Sequence, residues 1–232
     1  MSTGALHLVP GPIGDNFEFP SYLKSVLLGI EYFIVENEKT ARRILGVHLD
    51  SAFPNTRHFS VLDEHTEESG IPPLLEPLLA GKDAALLSEA GLPCIADPGS
   101  RLVLAAQRRG IRVYPYPGPS SIYMALMASG LNGQRFMFDG YVPVQEAARA
   151  KRLRELEALS SKESMSAGCI ETPYRAQKLF ETMLAVLRPM TLLCVAEGIM
   201  TAEERIVTQP ISAWRQAGHT IPKIPTVFYF SA

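Results

Sequence analysis

The sequence has 232 residues, of which 47% are hydrophobic and 20% are charged, a composition typical of a folded globular protein with a substantial core. The formal net charge of -2 excludes a broadly basic surface, so a nucleic-acid partner would need a local basic patch or a partner subunit. No apolar run approaches the roughly 20 residues of a membrane span. The amino terminus does not resemble a signal peptide, and the 3 cysteines lack metal-binding spacing. We therefore expect a cytoplasmic protein with no metal and no membrane partner.

Short apolar runs alternate with helix patterns along the first half of the chain. Strands are predicted at residues 6–9, 32–35, 58–62, 84–87 and 111–116. Helices are predicted at residues 21–28, 39–45 and 101–109, with a shorter one starting at Pro72. Because strands and helices that alternate in this way build parallel sheets, we expect a parallel sheet covered by helices on both faces.

The second half has strands in closer succession. Strands are predicted at residues 136–138, 167–170, 191–195, 205–208 and 226–230. Helices are predicted from Ser120 and at residues 146–159, 174–187 and 211–216. This spacing predicts a mixed sheet with antiparallel edges. The fold class is therefore α/β, with one domain at residues 1–117 and a second at residues 118–232.

Three loops rich in glycine and proline each follow a predicted strand. They are Pro10–Gly14, Ser88–Ser100 and Pro117–Ser121. In open α/β sheets, ligands bind at the carboxyl ends of the strands. The first loop is not a G-x-G-x-x-G fingerprint, and its prolines remove the N–H donors that a pyrophosphate needs. Each loop alone is more often a plain turn, but together they predict one shared cofactor site.

The ordered combination of these loops resembles the tetrapyrrole methylase superfamily. The motifs are Gly-Pro-Ile-Gly at residues 11–14, Ser-Glu-Ala-Gly-Leu-Pro-Cys-Ile-Ala-Asp-Pro-Gly at residues 88–99 and Pro-Gly-Pro-Ser-Ser at residues 117–121. The chain is most similar to the branch that methylates a cytidine 2′-hydroxyl in small-subunit ribosomal RNA, with further matches at residues 62–65, 135–143 and 171–175.

The resemblance implies a methyltransferase that binds S-adenosylmethionine in a cleft between its two domains. It also implies a homodimer, with ribosomal RNA or the small ribosomal subunit as partner. Carried over by residue, the implied cofactor site comprises Pro10, Gly11, Pro12, Ile13, Gly14, Ser88, Glu89, Ala90, Gly91, Pro93, Ile95, Ala96, Pro119, Ser120, Ser121 and Pro225. The first domain would form the substrate side and part of this site, and the second would complete it and mediate dimerisation.

Two segments depart from the pattern of this branch. The family's acidic-Asp-Thr-Arg element is Glu36-Asn37-Glu38-Lys39 here, and only Glu197 remains of its Arg-Glu-Leu-Thr-Lys element. Replacing arginine by lysine weakens a bidentate phosphate contact. Two alternatives therefore stay open: the acceptor is a small tetrapyrrole-like metabolite, or the chain binds cofactor without turnover.

Methyl transfer from a sulfonium requires alignment and a partly desolvated site. A hydroxyl acceptor also benefits from a general base. Glu36, His65, Glu89 and Glu171 are the candidates, because each ends or follows a predicted strand. Glu89 is nearest the central loop, and the charge of a histidine such as His65 changes near neutral pH. For any one of them, a surface or capping role is the commoner alternative.

One dense basic segment, Arg149–Arg154, lies on a predicted helix. A helix brings Arg149 and Arg152 near one face, where they could contact RNA phosphates. The alternative is a solvated helix surface balanced by neighbouring glutamates. Arg175 could likewise hold a phosphate, or pair with a nearby acid.

Overall fold

The computed structural model describes residues 3–15 and 17–232. The chain forms two compact units, Met1–Ser120 and Ser121–Ala232. The division thus falls a few residues after Gly118, where the sequence places the boundary. Within the described ranges, no helix is long and apolar enough to cross a membrane.

The first unit alternates strands and helices along the chain. Its strands are β1 (Ala5–Val9), β2 (Tyr32–Val35), β3 (His58–Val61), β4 (Ala84–Leu87) and β5 (Arg112–Pro115). Its α-helices are α1 (Ser21–Gly29), α2 (Glu38–His48), α3 (Ile71–Leu74), α4 (Glu76–Leu79) and α5 (Ser100–Arg108). Short 3₁₀ turns are found at Phe53–Thr56 and Glu68–Gly70. The strands and helices predicted for this half are present, although the helix predicted from Pro72 is divided at Leu75 into α3 and α4.

All strand pairs of the first unit are parallel, in the order β3-β2-β4-β1-β5. Strand β4 is fully buried, as its unbroken apolar sequence indicates. One face of the sheet packs in a cluster with Leu23 and Leu45, and the other packs with Leu75 and Leu102. The predicted parallel sheet is confirmed, and the carboxyl ends of its five strands lie at one edge.

The second unit contains a second five-stranded sheet. Its strands are β6 (Phe136–Tyr141), β7 (Ser166–Glu171), β8 (Leu192–Glu197), β9 (Arg205–Pro210) and β10 (Thr226–Ser231). Its helices are α6 (Ser121–Ser129), α7 (Glu146–Glu163), α8 (Ala176–Val186) and α9 (Ile211–Ala217).

The sheet of the second unit is mixed, with strand order β6-β7-β10-β8-β9. Strand β6 pairs parallel with β7, whereas β10 and β9 pair antiparallel with their neighbours. The mixed sheet is confirmed, but the prediction of antiparallel edges is wrong at β6. The long helix α7 connects β6 to β7, and a crossover of this kind returns the chain in the same direction.

Candidate functional site

Two of the three glycine- and proline-rich loops are joined directly by their backbones. The amide of Gly11 donates to the carbonyl of Gly91 at 2.9 Å, and the amide of Gly91 donates to the carbonyl of Gly11 at 3.3 Å. The loops follow β1 and β4, which are neighbours in the sheet. This reciprocal pair of hydrogen bonds holds the two loops in one position relative to each other.

The absence of side chains on glycine makes this close approach possible. A Cβ atom on Gly11 would collide with the carbonyl of Ser88, and one on Gly118 would collide with the ring of Pro10. Gly91 adopts a φ of +76°, a conformation that favours glycine. A Cβ on Gly91 would lie 3.5 Å from the carbonyl oxygen of Pro119. The three loops therefore come together, as their sequences predict.

An open apolar cavity of about 500 Å³ lies beside these loops in the first unit. Its lining consists of Leu8, Leu92, Pro93, Ile95, Pro115, Tyr116, Pro117 and Gly118. The volume falls within the roughly 300–1,000 Å³ of small-molecule sites. The carboxyl edge of the first sheet can therefore accommodate an organic ligand.

Carboxyl groups gather at the same edge of the sheet. Glu36 directly follows β2, and Glu89 follows β4 after one residue. The pKa of Glu36 is raised to about 7, first by burial and then by the charge and hydrogen bond of Asp97. The negative charges of Glu89 and Glu64 raise it further. Glu36 can therefore take up or release a proton near neutral pH.

Asp97 also belongs to this cluster of carboxyl side chains, and the sequence alone does not reveal its place there. Its Oδ1 atom accepts hydrogen bonds from the amides of Cys94 at 3.2 Å and Gly99 at 2.9 Å. These bonds hold the carboxylate that contacts Glu36. The Asp-Pro-Gly sequence indicates a turn stabilised by an aspartate side chain, which is the signal that could have identified Asp97.

Glu89 also belongs to this cluster of carboxyl side chains. Its Oε1 atom is buried and has no hydrogen-bond partner within the described part of the chain. A buried carboxylate oxygen without a partner is costly, and a ligand that donates a hydrogen bond would remove the penalty. Glu89 is thus suited to contact a bound molecule.

Two further candidate acid–base residues lie outside this cluster of carboxyl side chains. The side chain of His65 is 84% exposed, and its Nε2 atom lies 3.6 Å from Glu64. Glu171 is in the second unit, where it accepts hydrogen bonds from Arg175 Nε at 2.9 Å and from the amide of Thr172 at 2.7 Å. Arg175 therefore forms an ion pair with a neighbouring acid, which is the alternative to a phosphate contact that the sequence analysis gives.

The predicted phosphate contact of Arg149 is contradicted by its environment. Its side chain is buried and donates to Thr182 Oγ1 at 2.9 Å and to the carbonyl of Val144 at 2.7 Å. Arg149 occupies the buried stripe of α7 together with Leu153. The sequence could have predicted this burial, because Arg149 and Leu153 are four residues apart and therefore share one face of the helix.

Arg152 forms a two-pronged ion pair with Asp139 and also contacts Glu155 at 3.4 Å. The hydrogen bond and charge of Asp139 raise the pKa of Arg152 above its already high value, although burial opposes this. The guanidinium is thus engaged within the second unit.

The remaining predicted cofactor residues occupy varied environments. Ser88 is buried, and its hydroxyl accepts a hydrogen bond from the amide of Ala90 at 3.4 Å. Ile95 and Ala96 are exposed, and Ala96 has a φ of 57°. The half-buried loop residues are Pro12, Ile13 and Pro119, whereas Pro93 and Ser120 are buried and Gly14 is exposed.

Two predicted cofactor residues belong to the second unit. Ser121 begins α6, and the carbonyl of Pro225 accepts a hydrogen bond from the amide of Gly198 at 3.0 Å. Residues 3–15 and 17–232 contain no group of three or more metal-ligating side chains that could hold an ion.

Residues 29–214 match the model of a protein family described as tetrapyrrole (corrin/porphyrin) methylases. The chain is 32% identical to a ribosomal RNA small subunit methyltransferase I of Vibrio cholerae, over 89% of this chain and 69% of the relative. It is also 32% identical to the protein of the same name from Escherichia coli O157:H7, over 92% of this chain and 72% of the relative.

Solved structures with a similar fold cover nearly all of the chain. The methyltransferase CobJ superposes with a TM-score of 0.64 and 17% identity, over 99% of this chain and 94% of CobJ. A uroporphyrin-III C-methyltransferase from Thermus thermophilus, complexed with S-adenosyl homocysteine, gives a TM-score of 0.60 and 17% identity, over 98% of this chain and 97% of that one. At this identity the likeness establishes the fold.

Proposed function

Because this chain belongs to the tetrapyrrole (corrin/porphyrin) methylase family, we propose that it methylates small-subunit ribosomal RNA with S-adenosylmethionine as donor. The observation that carries this proposal is its similarity, along most of its length, to relatives named for that substrate. The convergence of the three loops supports it independently, since the sequence motifs that suggest a cofactor are brought together by the fold.

The residues present fit such a donor. Gly11, Gly91 and Gly118 allow the three loops to pack against one another, which gathers their backbone groups in one place. The unpartnered Oε1 of Glu89 can accept a hydrogen bond from an amino or hydroxyl group, and its charge favours a cation. We assign the loop residues at 10–14, 88–96 and 119–121, with Pro225, to donor binding.

When bound, S-adenosylmethionine supplies a methyl group on a positively charged sulfur. The protein must then exclude water and align the acceptor oxygen with that methyl group. The apolar side chains of Leu92, Pro93 and Ile95 can provide a dry wall beside the loops.

We assign Glu36 as the general base for a hydroxyl acceptor. The carboxylate of Glu36 would accept the proton that the acceptor hydroxyl releases when it is methylated. A base whose pKa lies near 7 is unprotonated in a substantial fraction of molecules at neutral pH. Asp97 raises the proton affinity of Glu36, because its carboxylate is held by backbone amides of the loop and its negative charge faces Glu36. His65 remains a secondary candidate.

The finer assignment is a cytidine 2′-hydroxyl, which the resemblance to one branch of the family supports. A second candidate acceptor is a small tetrapyrrole-like metabolite. The apolar lining of the 500 Å³ cavity favours it, because macrocycles present large apolar faces.

The acceptor is tested by incubating the protein with radiolabelled S-adenosylmethionine and one of two substrates, small ribosomal subunits that lack the modification or uroporphyrinogen III. We expect label in the ribosomal RNA, at a ribose 2′-oxygen of a cytidine by nuclease mapping. Label in the tetrapyrrole alone would establish the second candidate instead. If neither substrate is labelled while the donor binds, the chain is a cofactor-binding member without turnover.

The donor site is tested by calorimetry with S-adenosylhomocysteine. Gly91→Arg places a bulky cation among the loops, whereas Gly130→Arg introduces the same residue at a similar φ of +70° in open space. We expect Gly91→Arg to abolish binding and Gly130→Arg to retain it. Equal affinities of the two variants would remove Gly91 from the site.

A further inference from the structure

A row of stacked side chains runs along the edge strand β5 in the first unit. The guanidinium of Arg112 lies 4.5 Å from the ring centroid of Tyr114. The ring of Tyr114 stacks on His7 at 5.3 Å, and His7 stacks on Tyr116 at 5.8 Å. The ring of Tyr116 then stacks on Tyr22 of α1 at 6.4 Å. We call these five residues the aromatic row.

The sequence explains how the aromatic row forms. Alternate residues of a strand share one face, so Arg112, Tyr114 and Tyr116 lie on the same side of the sheet. His7 pairs with Tyr114 across β1 and β5, which brings its ring to that side. Of these residues, only Tyr116 also lines the cavity described above.

One hydrogen bond holds the inner rings of the aromatic row, because the Nδ1 atom of His7 lies 2.9 Å from the hydroxyl of Tyr116. The Nε2 atom of His7 lies 3.5 Å from Asp83 and forms no hydrogen bond within the described residues. His7 is buried, whereas Tyr22 at the end of the row is 47% exposed. The row is therefore a preformed platform whose terminal ring is accessible to solvent, and a planar ligand can stack there with little loss of side-chain entropy.

Exposed positive charge lies in the segment that leads into the Arg112 end of the aromatic row, because Arg108 and Arg109 end the helix that precedes β5. Arg108, Arg109 and Arg112 are all exposed. In the described part of the chain, none of their guanidinium groups forms an ion pair, although Arg109 donates to the carbonyl of Ala105 at 3.3 Å. Asp83, which lies 3.5 Å from His7, accepts a hydrogen bond from the amide of Ala5. A polyanion would thus meet three unpaired cations.

The aromatic row leads from this basic segment to the candidate site. Four residues of strand span roughly 13 Å. At the far end, Tyr116 lines the apolar cavity and is followed by Pro117 of the third loop. The accessible Tyr22 end of the aromatic row therefore lies next to the loops to which we assign the donor, since Tyr22 stacks on Tyr116.

We propose that the aromatic row and its three arginines form a docking surface for single-stranded RNA of the substrate. A nucleobase stacks on the exposed ring of Tyr22, and phosphates contact Arg108, Arg109 and Arg112. Stacking on a tyrosine tolerates any base, and the phosphate contacts read no sequence, so this surface positions the RNA chain. The surface has this role only if the acceptor is RNA, so the inference rests on the proposed function.

The test measures binding of a fluorescent single-stranded RNA 12-mer by anisotropy and methylation of small ribosomal subunits. For Tyr22→Ala we expect affinity to fall by roughly 5- to 150-fold, the range of a lost base–aromatic stack. The KM for subunits should rise with kcat largely retained, and Tyr22→Phe should behave as wild type. Leu28→Ala is the matched control, because Leu28 lies on the same helix, is 55% exposed and has no ring.

Salt dependence provides a second readout. For Arg112→Gln, we expect the slope of log affinity against log salt to decrease by about 0.7, because one phosphate contact on a single strand is lost. Binding of S-adenosylhomocysteine should be unchanged in all these variants, which excludes loss of the fold.

Two failures can be told apart. If the wild type methylates ribosomal RNA but Tyr22→Ala and Leu28→Ala have equal affinities and KM values, the aromatic row is not the docking surface. If the wild type neither binds the oligonucleotide nor methylates ribosomal RNA, the proposed function fails and the docking surface fails with it.

Discussion

At the scale of single residues, the protonation of Glu36 should control the rate of methyl transfer. Its carboxylate is the active form, so the rate should rise with pH and level off above an inflection near 7. Asp97→Asn removes a negative charge beside Glu36 and should move the inflection to lower pH. A pH–rate profile of kcat/KM measures both. An inflection that Asp97→Asn leaves in place would exclude Glu36 as the titrating base.

Ionisation of Glu36 also affects the stability of the folded protein. The pKa of Glu36 rises from an ordinary 4.5 to about 7 on folding, so the folded chain binds its proton more tightly than the unfolded chain. Its stabilising contribution is complete below about pH 4.5 and is lost as the pH rises through about 7. Glu36→Gln stays neutral, so we expect this variant to be more stable than wild type at pH 8.

Thermal unfolding at two pH values checks this expectation. A gain of about 1 kcal/mol raises the Tm of a chain this size by roughly 2–4 °C. The difference between Glu36→Gln and wild type should be clear at pH 8 and small at pH 5. An equal difference at both values would show that ionisation of Glu36 is not responsible.

The location of a residue was predictable from the sequence where the backbone path alone determines it. Glu36 and Glu89 follow strands, and the ends of parallel strands meet at one edge. Prediction failed where a side chain's partner is distant in sequence. Arg149 is buried because Thr182, on another helix, accepts its hydrogen bond, and the contact of Asp97 with Glu36 joins two separate loops.

At the scale of elements, the loops depend on glycines that admit close packing. Gly11→Ala would force the loops after β1 and β4 apart, so we expect a loss of roughly 1–3 kcal/mol in stability and about tenfold or more in affinity for S-adenosylhomocysteine. Gly29→Ala is the control, because its added methyl meets open space at the end of α1. Calorimetry and thermal unfolding measure both quantities. Similar behaviour of the two variants would contradict the packing described.

The strands and helices were predictable because side chains return to the same face every two residues in a strand and about every 3.6 residues in a helix. Short runs rich in apolar and β-branched residues predicted the strands, and apolar residues three or four apart predicted the helices. The order of strands in the sheets was not predictable in the same way. In the first sheet β4 lies between β2 and β1, a position set by packing between residues far apart in sequence.

At the scale of the whole molecule, we expect a homodimer. Helix α6 has apolar residues on both of its faces: Ile122 and Leu126 are buried, whereas Met127 is 82% exposed. A helix that is apolar all round is normally covered. The neighbouring Tyr123 is also exposed and packs edge-on against Phe136. A second copy that covers this patch would remove the exposed apolar surface from water.

Sedimentation velocity tests this expectation. The wild type should sediment as a dimer, and Met127→Arg should shift it towards monomer by introducing a charge into the covered surface. Met190→Arg is the control, since Met190 is 78% exposed in the turn between α8 and β8. A dimer that both variants retain would place the interface elsewhere.

The reciprocal hydrogen bonds between Gly11 and Gly91 also determine how the protein behaves without a ligand. Two loops that are already fastened to each other do not need to be ordered on binding, so the entropy of assembling them is lost during folding. The amide protons of Gly11 and Gly91 should therefore exchange slowly with solvent deuterium in the ligand-free protein. Their protection should increase little when S-adenosylhomocysteine is added.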